Sequence, residues 1–143
     1  MTAPQFTTVD IKAPAEHVWA ILLDVEGWPE WTHSMSRVVR EGRGEFGVGS
    51  RARVTQPRIG TATWEVTDLE PGHEYSWESR RPGITTSAHH TVTPHTGGCS
   101  VRLEVRQRGP LAFLVGPLTA GLTRRFILAE AQGLKQVSER HDA

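Results

Sequence analysis

Between Val9 and Trp31 the chain reads VDIKAPAEHVWAILLDVEGWPEW, and inside that stretch the hydrophobic period changes once, from that of a strand to that of a helix. Val9 and Ile11 alternate with polar neighbours, whereas Val18, Ile21, Leu22 and Val25 recur at the spacing that puts them on one helical face. Pro14 sits where the switch occurs. A proline is tolerated in the first turn of a helix because the N–H it lacks would have had no intrahelical partner there, so the segment predicts a strand followed at once by a Pro-started amphipathic helix. Gly27 and Pro29 end the pattern and leave Trp28 and Trp31 on a short turn or second helix, where they either gate an opening or cap the core.

Turn signals then punctuate the chain at short intervals: GRGEFGVG at 42–49, Pro57 to Gly60, EPG at 70–72, Pro82 with Gly83, and Gly97 with Gly98. Between them, runs of strand length carry β-branched residues or period-two alternation: Met35–Arg40, Ser50–Gln56, Thr61–Leu69, His73–Arg80, Ile84–Pro94 and Cys99–Gln107. Hairpin-sized connections make neighbours antiparallel, because parallel strands need long crossovers. Alternation groups Val54 with Gln56, Trp64 with Val66, Tyr75 with Trp77 and Ser79, and Thr86 with Ala88 and His90 on an inner face. Glu65, Glu74, Glu78 and Glu104 fall on the outer face beside arginines, which predicts exposed cross-strand pairs.

From Pro110 to about Arg140 the period is helical. Leu118, Leu122, Phe126, Ala129, Gly133 and Val137 form one stripe, with Arg124, Glu130 and Lys135 mostly off it. A helix of this length needs a partner surface along its course, and the sheet is the surface available. Pro117 either starts it or kinks it.

Composition narrows function more than fold. Lysines and arginines (16) balance aspartates and glutamates (16), so no global field draws the chain to nucleic acid, and no nucleic-acid partner is expected. The single cysteine, Cys99, allows no internal disulfide, and the opening MTAPQFTTVD lacks the basic and apolar regions of a signal peptide. The longest apolar stretch, Leu111 to Leu122, is interrupted by Gly116, Pro117 and Gly121 short of the roughly 20 residues that span a bilayer. The expectation is a cytoplasmic protein with no integral membrane association. Its 143 residues suit one domain, 1–143, and are compatible with either a monomer or a homodimer.

Together these segments resemble the START-like superfamily of helix-grip proteins, and within it the polyketide cyclase/dehydrase and lipid-transport branch. The residues that carry the resemblance are APAEHVWAILLD (13–24), WPEW (28–31), GVGS (47–50) leading into RARV, WEVTDLEP (64–71) and the terminal pattern from Gly109 to Leu134. The resemblance implies an α+β helix-grip fold: a curved antiparallel sheet of about seven strands wrapped on a long C-terminal helix, with two short helices after strand 1. It also implies a cavity between sheet and C-terminal helix that takes up hydrophobic or aromatic small molecules, whether polyketide-like, lipid or isoprenoid. Some members catalyse cyclisation or dehydration with little more than a shaped pocket, so no fixed catalytic set is carried over.

Other chemistry is weaker in the sequence. Gly42, Gly44 and Gly47 match G-x-G-x-x-G, but the motif leads into a strand rather than into the helix whose N-terminus would hold a pyrophosphate. His89, His90, His95 and Cys99 are the cluster that suggests metal. Neighbouring histidines on a strand point to opposite faces and no second ligand pair completes a tetrahedral set, so neither metal nor cofactor is expected.

His90 is different because it shares its face with Ala88 and Val92. There it is a structural donor to a buried carbonyl, a polar handle for a ligand, or a general acid/base. The expected ligand contacts are Trp31, Val54, Gln56, Trp64, Tyr75, Trp77, Thr86, His90, Leu122 and Phe126, an apolar wall with a few convergent polar groups. Binding of a hydrophobic small molecule is the leading expectation. The alternatives are a polyketide cyclase or dehydratase using His90 and Tyr75 as acid/base and orienting group, and a partner-binding module whose cavity is filled by its own side chains.

Overall fold

The computed structural model describes residues 4–140. Strand β1 (Gln5–Ile11) leads through Pro14 into helix α1 (Ala15–Leu23), and a 3₁₀ helix, Val25–Glu30, carries the chain to β2 (Arg37–Glu41). The strands β3 (Arg51–Gln56), β4 (Gly60–Glu70), β5 (Glu74–Arg81), β6 (Ile84–His95) and β7 (Gly98–Arg108) follow, and α2 (Ala112–Arg140) closes the chain. The sheet has seven strands in the order β1-β7-β6-β5-β4-β3-β2, with all neighbours antiparallel. This is the helix-grip arrangement that the resemblance implies.

Pro14 serves as the N-cap of α1, one position before the first helical turn, and its carbonyl accepts the N–H groups of His17 and Val18 at 3.1 and 3.2 Å. At the other end, the carbonyl of Leu22 has no intrahelical donor and takes two side-chain donors instead. Trp28 Nε1–H donates to it at 3.1 Å and the Tyr75 hydroxyl at 3.0 Å, which ties α1 and the 3₁₀ helix to the middle of the sheet. Trp28 is fully buried, so of its two expected roles it takes that of capping the core.

The β5–β6 hairpin turns at residues 82–83 in the register that alternation predicts, with Tyr75 opposite His90, Trp77 opposite Ala88 and Ser79 opposite Thr86. On the outer face the expectation needs correction. Arg51 and Glu65 do form an exposed cross-strand pair. Glu78 and Glu104, however, are buried, at 8% and 9% exposure, because the long side chains of Arg80 and Arg108 cover the first and those of Arg102 and Arg106 the second. Burial pushes both carboxyls up, but the bonds from the paired guanidinium groups outweigh it and hold each below the ordinary glutamate range.

Helix α2 begins at Ala112 rather than Pro110, and Pro117 lies inside it. Its 29 residues make it long and apolar enough to cross a membrane by length and composition alone, so the glycines and proline do not divide it as the sequence suggests. Phe126, Ile127, Ala131 and Leu134 are instead buried within the molecule. The predicted stripe holds at Phe126 and Gly133 but fails toward the N-terminus, where Leu118 is 82% exposed and Leu122 only half-buried. Gly133, on the predicted stripe, lies against the main chain of Trp31, where any Cβ would overlap the Trp31 carbonyl oxygen. With the helix seated there, Val115, Thr119, Thr123, Ile127 and Glu130 turn inward.

Candidate functional site

A cavity of about 200 Å³ lies between the inner face of the sheet and α2. Its lining grades from exposed residues, Ile59 and Arg81, to deeply buried ones, Trp77, His90, Ile127 and Glu130. The first group marks the mouth and the second the floor. Of the residues expected to meet a ligand, Gln56, Trp64, Trp77, Thr86, His90 and Phe126 line this space.

Trp31, Val54, Tyr75 and Leu122 do not. Trp31 is held beneath Gly133 and packed at a tilt against Trp28, with ring centroids 4.9 Å apart. Val54 is packed in the core near β2. Leu122 follows the rotated helix out of the lining. Tyr75 shares the inner face but lies behind His90, with its hydroxyl committed to Leu22. Burial first, and then the charge of Glu130, push that hydroxyl well above its ordinary pKa, so it stays protonated.

His90 stacks on Tyr75 at 4.3 Å between centroids and places Nδ1 3.2 Å from the Tyr75 carbonyl. A carbonyl only accepts, so Nδ1 carries the proton and Nε2 of the neutral ring is an acceptor. Burial lowers the pKa from 6.5 to about 4, only partly opposed by the carbonyl bond. At neutral pH His90 is therefore uncharged and has no proton to give as a general acid.

The floor also carries a residue that the sequence reading set aside. Glu130 is 9% exposed, and its Oε2 accepts the Ser34 hydroxyl at 2.9 Å. Ser34 Oγ in turn accepts the Thr32 hydroxyl at 3.0 Å, so two hydroxyl protons point along one chain toward the carboxyl. Gln56 holds this loop in place by donating from Nε2 to the Ser34 carbonyl at 3.3 Å. Burial raises Glu130 to about pKa 7 against the opposing effect of the Ser34 bond. A signal existed in the sequence, because Glu130 is four residues after Phe126 and three before Gly133, both on the predicted stripe.

Trp64 adds a different asymmetry: its indole N–H is buried without a partner among the described residues, although a buried Trp usually finds one. Away from the cavity, His89 bonds Ser76, His95 bonds Asp10, and Cys99 is buried, its thiol pushed up by that burial. These residues do not converge on one point with His90. The group brought together among the described residues is Glu70, His73 and Glu74 at the β4–β5 turn, with potential ligand atoms within 4.8 Å of one another.

Comparison with known proteins bears on the fold. The model of a family described as polyketide cyclase / dehydrase and lipid transport matches residues 6–139. No curated protein matches the chain. Among solved structures, a Thermus thermophilus protein superposes with a TM-score of 0.80 at 16% identity over 99% of this chain and 100% of its own. The di-domain ARO/CYC protein StfQ of the steffimycin biosynthetic pathway gives 0.77 at 13% identity, with 99% of this chain covering 52% of that one, about half its length. Norcoclaurine synthase from Thalictrum flavum, in complex with dopamine and hydroxybenzaldehyde, gives 0.74 at 15% identity over 100% of this chain and 90% of its own. At these identities the likeness is one of fold.

Proposed function

Because the chain belongs to the polyketide cyclase/dehydrase and lipid transport family, we propose that it binds a hydrophobic or aromatic small molecule in the cavity between the sheet and α2. The observation that carries this reading is the cavity itself. It is an apolar space of about 200 Å³ walled by Trp64, Trp77 and Phe126, with a few polar groups converging at one end, the usual composition of a ligand pocket. The same void speaks against the reading in which the protein fills its own cavity.

Saturation binding tests the proposal. A panel of one- and two-ring aromatic compounds is titrated against tryptophan emission, since Trp64 and Trp77 line the space, and against the melting temperature. A ligand at a hundredfold excess over its Kd raises stability by about 2.7 kcal/mol if it binds only the folded state. Absence of both effects across the panel would overturn the reading.

A second reading, cyclase or dehydratase, draws support from Glu130. An acid/base group works best with a pKa near the working pH, and a carboxyl at about 7 on a cavity floor meets that condition where His90 and Tyr75 do not. The acid/base role expected of those two residues therefore passes to Glu130 in this reading. Recovering a bound compound chemically changed separates enzyme from carrier.

A further inference from the structure

Two hydrogen-bond acceptors at the buried end of the cavity have no protein donor among the described residues, one on Glu130 and one on His90. Glu130 has one oxygen bonded by Ser34, and its other oxygen, Oε1, has no protein donor among the described residues. The hydroxyl protons of Ser34 and Thr32 are both spent along their own chain. His90 gives its only proton to the Tyr75 carbonyl and turns an acceptor nitrogen to its free side. A nine-tenths-buried carboxyl with an unpartnered oxygen is expensive to ionise, and a donor brought by a ligand is what would relieve it.

Size sets the rest of the ligand. A cavity of 150 Å³ accommodates benzene, so about 200 Å³ accommodates a substituted ring or two fused rings and is too small for a four-ring skeleton or a long acyl chain. The flat faces of Trp64 and Trp77, ring centroids 5.6 Å apart, suit an aromatic guest. We propose that the cavity selects a one- or two-ring aromatic compound bearing a hydroxyl at its buried end, and that this hydroxyl donates to the free oxygen of Glu130. The inference rests on the binding reading above and adds to it the orientation and chemical class of the ligand.

Ionisation of Glu130 makes the bond charge-assisted, so preference for the hydroxyl grows as pH rises through about 7. Burial holds two other titratable groups near the cavity in one state from pH 6 to 8. His90 on β6 stays neutral and Tyr75 on β5 stays protonated, and the charged group at the mouth is Arg81. Ser34, Thr32, Gln56 and Gln107 do not titrate, and His33, exposed on the loop that carries Ser34, is the remaining titratable neighbour.

The test compares 2-naphthol with 2-methylnaphthalene, in which a methyl of similar size replaces the hydroxyl. Affinities for the full chain are measured by calorimetry or tryptophan emission at pH 6 and pH 8, for the wild type and Glu130→Gln. The expected result is a ratio of affinities favouring the naphthol by about tenfold more at pH 8 than at pH 6, with the pH dependence gone in the variant. Should Glu130→Gln fold poorly, the wild-type pH comparison decides alone. A ratio unchanged by pH, or a pH dependence that survives in Glu130→Gln, overturns the proposal while leaving the binding reading intact. Failure of both compounds to bind at either pH removes the binding reading and the proposal with it.

Discussion

Tyr75 and His90 lie face to face on neighbouring strands, their ring planes 16° from parallel, with the imidazole proton donated to the tyrosine's own carbonyl. The pair gives the middle of the sheet a neutral, doubly anchored floor: Tyr75 is tied to α1 through Leu22, and His90 is tied to Tyr75. Neither ring is free to exchange protons with a ligand at neutral pH, which is why the chemistry of the site shifts toward α2.

The depressed pKa of His90 predicts a stability effect on the acid side. Below about pH 6.5 the unfolded chain takes up a proton at this residue that the folded protein refuses until about pH 4, so the wild type loses stability as pH falls through that window. The full difference is on the order of 3 kcal/mol. In His90→Phe that contribution vanishes, and the stability gap between variant and wild type should narrow as denaturant unfolding is followed from pH 7 to 4.5. A gap that stays constant would show that His90 is not held neutral.

Glu130 predicts the opposite slope. Its folded pKa of about 7 lies above the unfolded value, so the fold is favoured by the proton and loses that advantage as pH rises from about 4.5 through 7. Relative to wild type, Glu130→Gln should gain stability between pH 5 and pH 8 by up to about 3 kcal/mol. Urea titrations at the two pH values read this directly, and equal differences at both would contradict the assignment.

Two glycines on the same helix should respond in opposite ways. Gly133→Ala forces a methyl into the Trp31 carbonyl, which neither backbone can easily yield, and should cost about 3 kcal/mol. Gly121→Ala meets nothing within 4 Å in a helical conformation and should stabilise by up to about 1 kcal/mol. Thermal melts of both variants check the pair, and a tolerated Gly133→Ala would mean that the helix is not seated by this contact.

Trp28 and Trp64 offer a similar contrast. Trp28→Phe deletes a buried indole bond to Leu22 and should cost about 1 kcal/mol from that bond, beyond any loss of packing. Trp64→Phe removes a donor that has no partner among the described residues, so its cost should come from packing alone. Comparable hydrogen-bond costs in double-mutant analysis with Tyr75→Phe, the other donor to Leu22, would refute the distinction.

Most of the fold was legible because strand alternation is strict. Trp77, Ala88 and His90 follow from parity once the hairpin at residues 82–83 is recognised, and a one-residue slip would have reversed every face. The same rule brought Gln56, Trp64, Thr86 and His90 to the cavity wall. It also placed Tyr75 on the inner face, but parity says nothing about depth, and Tyr75 lies one layer behind His90 with its hydroxyl used by α1.

A helix is less constrained by its sequence. Successive residues turn about 100°, so an apolar stripe tolerates a rotation that carries Leu118 and Leu122 outward and Thr123 and Glu130 inward. Where α2 comes to rest depends on contacts between residues far apart in the chain, among them that of Gly133 with the Trp31 backbone. Electrostatics follows the same division. That Glu78, Glu104 and Glu130 are carboxylates is in the sequence, but two lie under arginines and are held ionised while the third lies against an apolar cavity and is held near neutrality. The sequence by itself determined which residues share a face, because that depends on local period; which of them face a void, a partner or a charge depends on what the rest of the chain brings to within a few ångströms, and only the tertiary structure decided it.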